Sequence, residues 1–277
     1  MAQQSTIGVR PSRPDASRST ERTLVQIRER SYLEVLDLAL VVVRQWPLTL
    51  GLAAFVGIAP FAALNEWLLS DPEVPVWLLV YLLVLEAPWA TAPLTVVLGG
   101  LMFGDRPTMG RVVRTLARSF PSMFLFQFLA RAFFMFAFFL YFVVPARLAF
   151  LDEVILLERG KWWSAARRSA ALCGTRGGEL FGQWLAQLVF GGWFVLCFWL
   201  GTGQLVQALT RTEMTWDMPG WSDLRGIWAH LGIWLAIAFF GVARFLSYID
   251  QRIRQEGWEV ELRLREVGRS LEDSRRW

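Results

Sequence analysis

The chain has 277 residues, 55% hydrophobic and 19% charged, against ~45–50% and ~25% for ordinary soluble domains. Its net charge of +4 comes almost wholly from arginine, with Lys161 the only lysine. These arginines sit beside long apolar runs, which excludes a freely soluble domain and a nucleic-acid-binding protein and points to an all-α, polytopic helical membrane protein. Two cysteines, Cys173 and Cys197, and a single histidine, His230, supply no metal-ligand spacing and no nucleophilic triad. No catalytic, cofactor or metal residue is therefore expected, and the chain is not expected to be an enzyme.

In chain order, the first 30 residues are polar, with six arginines and no apolar centre of the kind a signal peptide needs. Residues 1–19 read as a disordered cytoplasmic arm, residues 20–250 as a helical membrane domain and residues 251–277 as a cytoplasmic C-terminal helix. A helical pattern begins at Thr20 and includes Leu24, Ile27, Tyr32, Val35 and Leu36. Ser31 and Glu34 stand at capping-box spacing, so an amphipathic helix over 31–45 is expected to lie in the membrane interface. Trp46-Pro47 breaks it and opens a first span over 48–69. A second span, over 76–103, contains Pro88 and Pro93 and is expected to bend or be interrupted there.

Residues 107–119 form a basic connector. The Phe-rich stretch 120–151 follows, 32 residues with only Arg131 and Arg147 charged. That is longer than the ~20 residues of one perpendicular helix. It is expected to double back as a hairpin or re-entrant segment, with one long tilted helix as the competing reading. A second interfacial helix is expected within 152–180, with Trp162, Ala165, Ala166, Ser169 and Leu172 on one face and Arg167 and Arg168 off it. Spans over 181–209 and 226–249 complete five to six membrane segments. The last continues without a breaker into the polar helix, where Ile253, Val260, Leu264, Val267 and Leu271 keep helical spacing.

Basic residues sort by segment: seven in 1–45, none in 71–75, four in 104–120, six in 147–180, two in 211–225 and eight in 244–277. The positive-inside rule then places both termini in the cytoplasm of a multi-pass protein of the cell (inner) membrane. The arginine-rich inner face suits anionic lipid headgroups as well as it suits topology.

Two ionisable groups lie near the middle of apolar runs, Glu86 and Arg131. A charge there costs ~2.5–3.5 kcal/mol on insertion scales, so each should face a partner or water. They are the candidate intramembrane polar site, as a buried pair lining a cavity or as a pair that only fixes packing. Gln183/Gln187 and Gln204/Gln207 are at same-face spacing, for a polar groove or interhelical hydrogen bonds. Gly100/Gly104 and Gly178/Gly182 match the small-xxx-small spacing of close helix contacts. His230 has no acidic neighbour close in the chain.

The strip Val154–Glu158, followed by Ala165, Ala166, Arg167, Arg168 and Ser169 and then Leu172, resembles a pattern in a broad group of bacterial membrane proteins. That group includes the membrane domain attached to some glycerophosphodiester phosphodiesterases and many free-standing uncharacterised relatives. The early amphipathic helix with its proline-marked span and the proline before the Glu158 motif are also similar, over roughly residues 31–210. The resemblance marks Glu158, Arg168 and Ser169 as motif residues and implies an all-helical membrane module. The phosphodiesterase catalytic domain is not part of it, so that activity does not carry over. Two functions are then expected. The first is a non-enzymatic module that docks or organises another membrane or cytoplasmic protein. The alternative is a transporter or lipid-handling protein with a polar cavity around Glu86 and Arg131.

Overall fold

The computed structural model describes residues 31–102, 108–136, 142–158, 162–174, 176–211, 224 and 226–274. Among them every regular element is helical. The arm over 1–19 and the helical start at Thr20 lie outside the described residues.

Helix α1 (Tyr32–Gln45) starts where Ser31 accepts a hydrogen bond from the Glu34 amide, 3.4 Å, half of the expected capping box. Trp46 leaves helical geometry (φ −128°, ψ 53°) and Pro47, which needs no amide partner at a helix start, opens α2 (Pro47–Leu69). Of the bend or interruption expected at Pro88 and Pro93, the interruption is absent: helix α3 (Val76–Met102) runs continuously through both. Within it the Thr91 hydroxyl donates to the Ala87 carbonyl (2.8 Å) and the Thr95 hydroxyl to that of Thr91 (3.2 Å). These back-bonds put hydroxyl donors in the part of the helix where the two prolines bring no amide.

The Phe-rich stretch is not one helix. It begins inside α4 (Met109–Met123), widens into a π segment (Phe124–Ala130) and continues as α5 (Arg131–Phe136). Beyond residue 141 come the short helices α6 (Val143–Arg147) and α7 (Leu151–Leu157). Helix α7 packs back against α4 and α3, so the chain returns to where the stretch began. Helix α8 (Trp162–Cys173) buries Ala165, Ser169 and Leu172 and leaves Arg167 exposed, the face its spacing predicts. The long helices α9 (Gly177–Thr210) and α10 (Ile227–Ser274) complete the fold.

Among the described residues four helices are long and apolar enough to cross a bilayer: α2, α3, α9 and α10 over Ile227–Gln255. They have different surroundings. In α3, 72% of the apolar window is buried inside the protein, and in α9 only 6%. Helix α3 is therefore the packed centre, while α9 turns Leu185, Leu188, Val189 and Trp193 outward. Lipid is as apolar as these side chains, so packing and polar contacts, rather than hydrophobic expulsion, must hold such helices together.

Close approach is concentrated at three glycines. A Cβ at Gly57 would lie 2.0 Å from the Ala90 carbonyl oxygen, one at Gly99 2.6 Å from Leu157, and one at Gly241 2.9 Å from Thr91. They seat α2, α7 and α10 on α3. The Gly178/Gly182 spacing makes no such contact, since both α-carbons face open space. Gly104 lies outside the described residues.

At one end of the bundle α1 packs on α10, α4 on α7, α7 on α8 and α8 on α10. These elements all belong to the arginine-rich segments. Gln251 and Gln255 of α10 donate to the Leu172 carbonyl (3.0 and 3.1 Å) and tie α8 down.

Candidate intramembrane binding site

The two ionisable groups picked out by sequence do not meet. Glu86, on the buried face of α3, accepts a 2.8 Å hydrogen bond from the Asn65 amide of α2. The pair closes the α2–α3 seam, and Glu86 is not on the wall of the large cavity described below. Arg131, the first residue of α5, donates instead to the side-chain oxygen of Gln127, one turn back (3.2 Å). The expected Glu86–Arg131 pair is thus replaced by two separate contacts. The register of the chain explains this. The π segment closes wide turns, with the Arg131 amide donating to the Phe126 carbonyl, and it brings Gln127 and Arg131 toward α7 instead of α2.

Gln127 leads to the main polar cluster. Its amide donates to Asp152. Asp152 also accepts from Arg244 of α10 (2.9 Å), and the same guanidinium bonds Glu153 (2.8 Å) and reaches the Thr91 hydroxyl at 3.5 Å. Asp152 and Glu153 are 3% and 0% exposed at their side chains, so two carboxylates sit in the core around one arginine. Burying a lone charge is prohibitive, while a paired and hydrogen-bonded one is tolerated. Burial pushes the Glu153 carboxyl above its ordinary range. Arg244 pulls it back down, and Asp152 beside it adds to the rise. One Glu153 oxygen, Oε2, has no hydrogen-bond partner among the described residues.

A second network lies next to it. Glu158 accepts from the Tyr248 hydroxyl (2.7 Å) and from Arg168 (3.1 Å). Ser169 is fully buried, one turn before the equally buried Cys173. Glu158, with Arg168 and Tyr248, therefore ties α7, α8 and α10 together, and none of the three motif residues lines the cavity described next.

That cavity, about 920 Å³, opens between α3, α9 and α10, with Gln127 and Arg131 on its wall. It stands at the upper end of the ~300–1,000 Å³ usual for small-molecule sites. Its polar end carries Thr91, Asp152, Arg244 and Ser247, together with Gln183 and Gln187 of α9. The rest is apolar. Gln204 and Gln207 lie off its wall. Sequence reasoning had placed Arg131 and the Gln183/Gln187 face in a possible groove and missed Asp152, Glu153 and Arg244. The available signal was an acidic pair inside the apolar strip Leu151–Leu157, which leaves two carboxylates in need of a cation from elsewhere in the chain.

At the opposite end of α10 the structure supplies the acid that His230 lacks locally, with Glu66 of α2 3.4 Å from its Nδ1. No group of three or more metal-ligating side chains occurs among the described residues. No protein-family model matches the chain, and neither a curated protein nor a solved structure is significantly similar to it.

Proposed function

We propose that this chain is a lipid-handling or transport module of the cell membrane, working through the cavity between α3, α9 and α10. The observation that carries the reading is a 920 Å³ space that is apolar along most of its wall and ionic at one end. A packed structural seam has no use for such a space, and leaving it unfilled forfeits contacts. In this reading the site is built on Arg131 and Arg244, with Asp152 as counter-charge, and the substrate is bound and released without reaction.

The membrane placement belongs to the same proposal. The Phe-rich stretch enters and leaves on one side as a re-entrant hairpin, giving five to six segments, and the arginine-rich end with both termini faces the cytoplasm. The contact of α7 with α4 and the gathering of the arginine-rich elements at one end support this. The resemblance to free-standing bacterial membrane modules read from Val154–Leu172 belongs to the same proposal, with Glu158, Arg168 and Ser169 as its motif residues.

The test is movement of a fluorescent single-chain lipid across proteoliposomes. Gly192 lines the cavity and a Cβ there would meet nothing within 4 Å, so Gly192→Phe fills the space without a backbone clash. It should abolish the activity, and a wild-type rate in Gly192→Phe overturns the proposal. Glu86→Gln should keep the wild-type rate, because Glu86 faces Asn65 and not the cavity.

A docking role is favoured by one further observation. Helix α10 has 48 residues, ~72 Å at 1.5 Å per residue, against a hydrocarbon core of ~30 Å. Its far end is proposed to hold a membrane or cytoplasmic partner. Removal of residues 256–277 should release a co-purifying protein, and unchanged association would end that reading.

A further inference from the structure

We infer that the cavity takes a single-chain anionic amphiphile, with Arg131 as the anchor for its carboxylate or phosphate head. This rests on the cavity reading above and adds the charge and shape of the ligand.

The charged residues on the cavity wall are Arg131, Arg244 and Asp152, with Glu153 behind the wall on Arg244. Arg244 is occupied by Asp152, Glu153 and Thr91. Arg131 is not. Its Nη1 donates to a neutral amide oxygen, its Nε is buried without a hydrogen-bond partner, and it makes no ion pair with any described residue. Gln127 enforces the separation. A carboxylate only accepts hydrogen bonds, so the Gln127 NH₂ must turn to Asp152 and its oxygen to Arg131. The amide stands between cation and acid and leaves the guanidinium without a direct ion pair. A charge in that position at membrane depth is costly and marks a ligand or ion path. An anion would give Arg131 the direct partner it lacks, and the planar fork of arginine suits a carboxylate or phosphate.

The wall also sets the ligand's shape. Three helices are polar at the same end and apolar beyond it. From Thr91 back to Val80 on α3, and from Arg244 back to Ile233 on α10, the wall runs 11 residues, ~16 Å of helix. From Gln187 to Trp199 on α9 it runs 12 residues, ~18 Å. A head at Arg131 thus points one alkyl chain along an apolar trough. Helix α9, almost unburied, forms the side of the trough next to lipid.

Binding to the full chain in neutral detergent, read by native mass spectrometry, tests this with palmitate, hexadecyl phosphate, hexadecanol and inorganic phosphate as probes. Palmitate or hexadecyl phosphate should bind about tenfold or more tighter than hexadecanol, as loss of a charge-assisted hydrogen bond predicts. Whichever binds tighter identifies the head. Arg131→Gln should erase that preference, Arg131→Lys should keep part of it, and Arg118→Gln, on an exposed face of α4, should leave it unchanged. Equal binding of hexadecanol, a preference that survives Arg131→Gln, or inorganic phosphate binding as tightly as hexadecyl phosphate overturns the inference. If hexadecanol binds equally and Gly192→Phe removes both, the cavity reading stands and only the anion assignment falls. If Gly192→Phe leaves all binding intact, both fall.

Discussion

At the scale of single residues, the fold is decided by a few polar contacts placed where lipid and core supply no water. Tyr248 is fully buried and its hydroxyl serves Glu158, which also holds Arg168. Tyr248→Phe removes one hydrogen bond to a charged acceptor, worth ~1.5–3 kcal/mol. It should lower the unfolding temperature while leaving ligand binding intact, which a thermal melt in detergent with a binding titration checks. Glu153 gives a pH-dependent prediction. Burial raises its folded pKa above the ordinary 4.5, so the folded state holds the proton more tightly than the unfolded chain. Its contribution to stability is complete below the unfolded pKa and is lost as pH rises through the folded one. The melting temperature of the wild type relative to Glu153→Gln should therefore decline from pH 4.5 upward. A difference that grows with pH contradicts the burial of that carboxyl. These residues were hard to read from sequence for one reason. Glu153 and Arg244 are 91 positions apart, and Asn65 and Glu86 are 21 apart. An apolar run reports that a charge needs a partner, and nothing local to it reports which one.

At the scale of elements, local signals were enough. Ser31 and the Trp46-Pro47 break mark the ends of α1 through hydrogen-bond and proline chemistry within a few residues. The same holds for the buried face of α8 and the unbroken run of α10. The Phe-rich stretch was less legible. Its composition gave its length and greasiness, but the π segment and the short helices after it depend on what α3, α7 and α9 offer as neighbours. Close contacts also misled at this scale. Spacing of small residues suggested Gly178 and Gly182, whereas the tight seams use Gly57, Gly99 and Gly241. Gly57→Ala places a methyl against the Ala90 carbonyl and must push α2 off α3, so a loss of roughly 1–3 kcal/mol is expected, as for other overpacked sites. Gly51→Ala, also in α2 with nothing within 4 Å, should be neutral or slightly stabilising. Melting both variants side by side separates a seam effect from a general effect of helix propensity.

At the scale of the whole molecule, α2 and α9 flank a centre made by the other two long apolar helices, α3 and α10, and the short helices fill one end. The hold of α10 on α8 passes through Gln251 and Gln255. A truncation that removes residues 256–277 should therefore melt like the full chain, and one that removes residues 251–277 should melt lower because α8 loses both tethers. Equal melting of the two truncated chains in detergent would mean that those amides do not hold α8.

Helix α10 also joins places that are usually kept apart. One uninterrupted rod carries Ile233 on the trough, Arg244 in the ionic cluster and Gln255 on α8, and then runs on to Ser274. A stiff rod has no joint at which a push can be absorbed. A displacement near residue 270 travels along the same helix that carries Arg244, whose guanidinium is bonded to Asp152 and Glu153. The outer end of this helix and the ionic end of the cavity are thus parts of a single element.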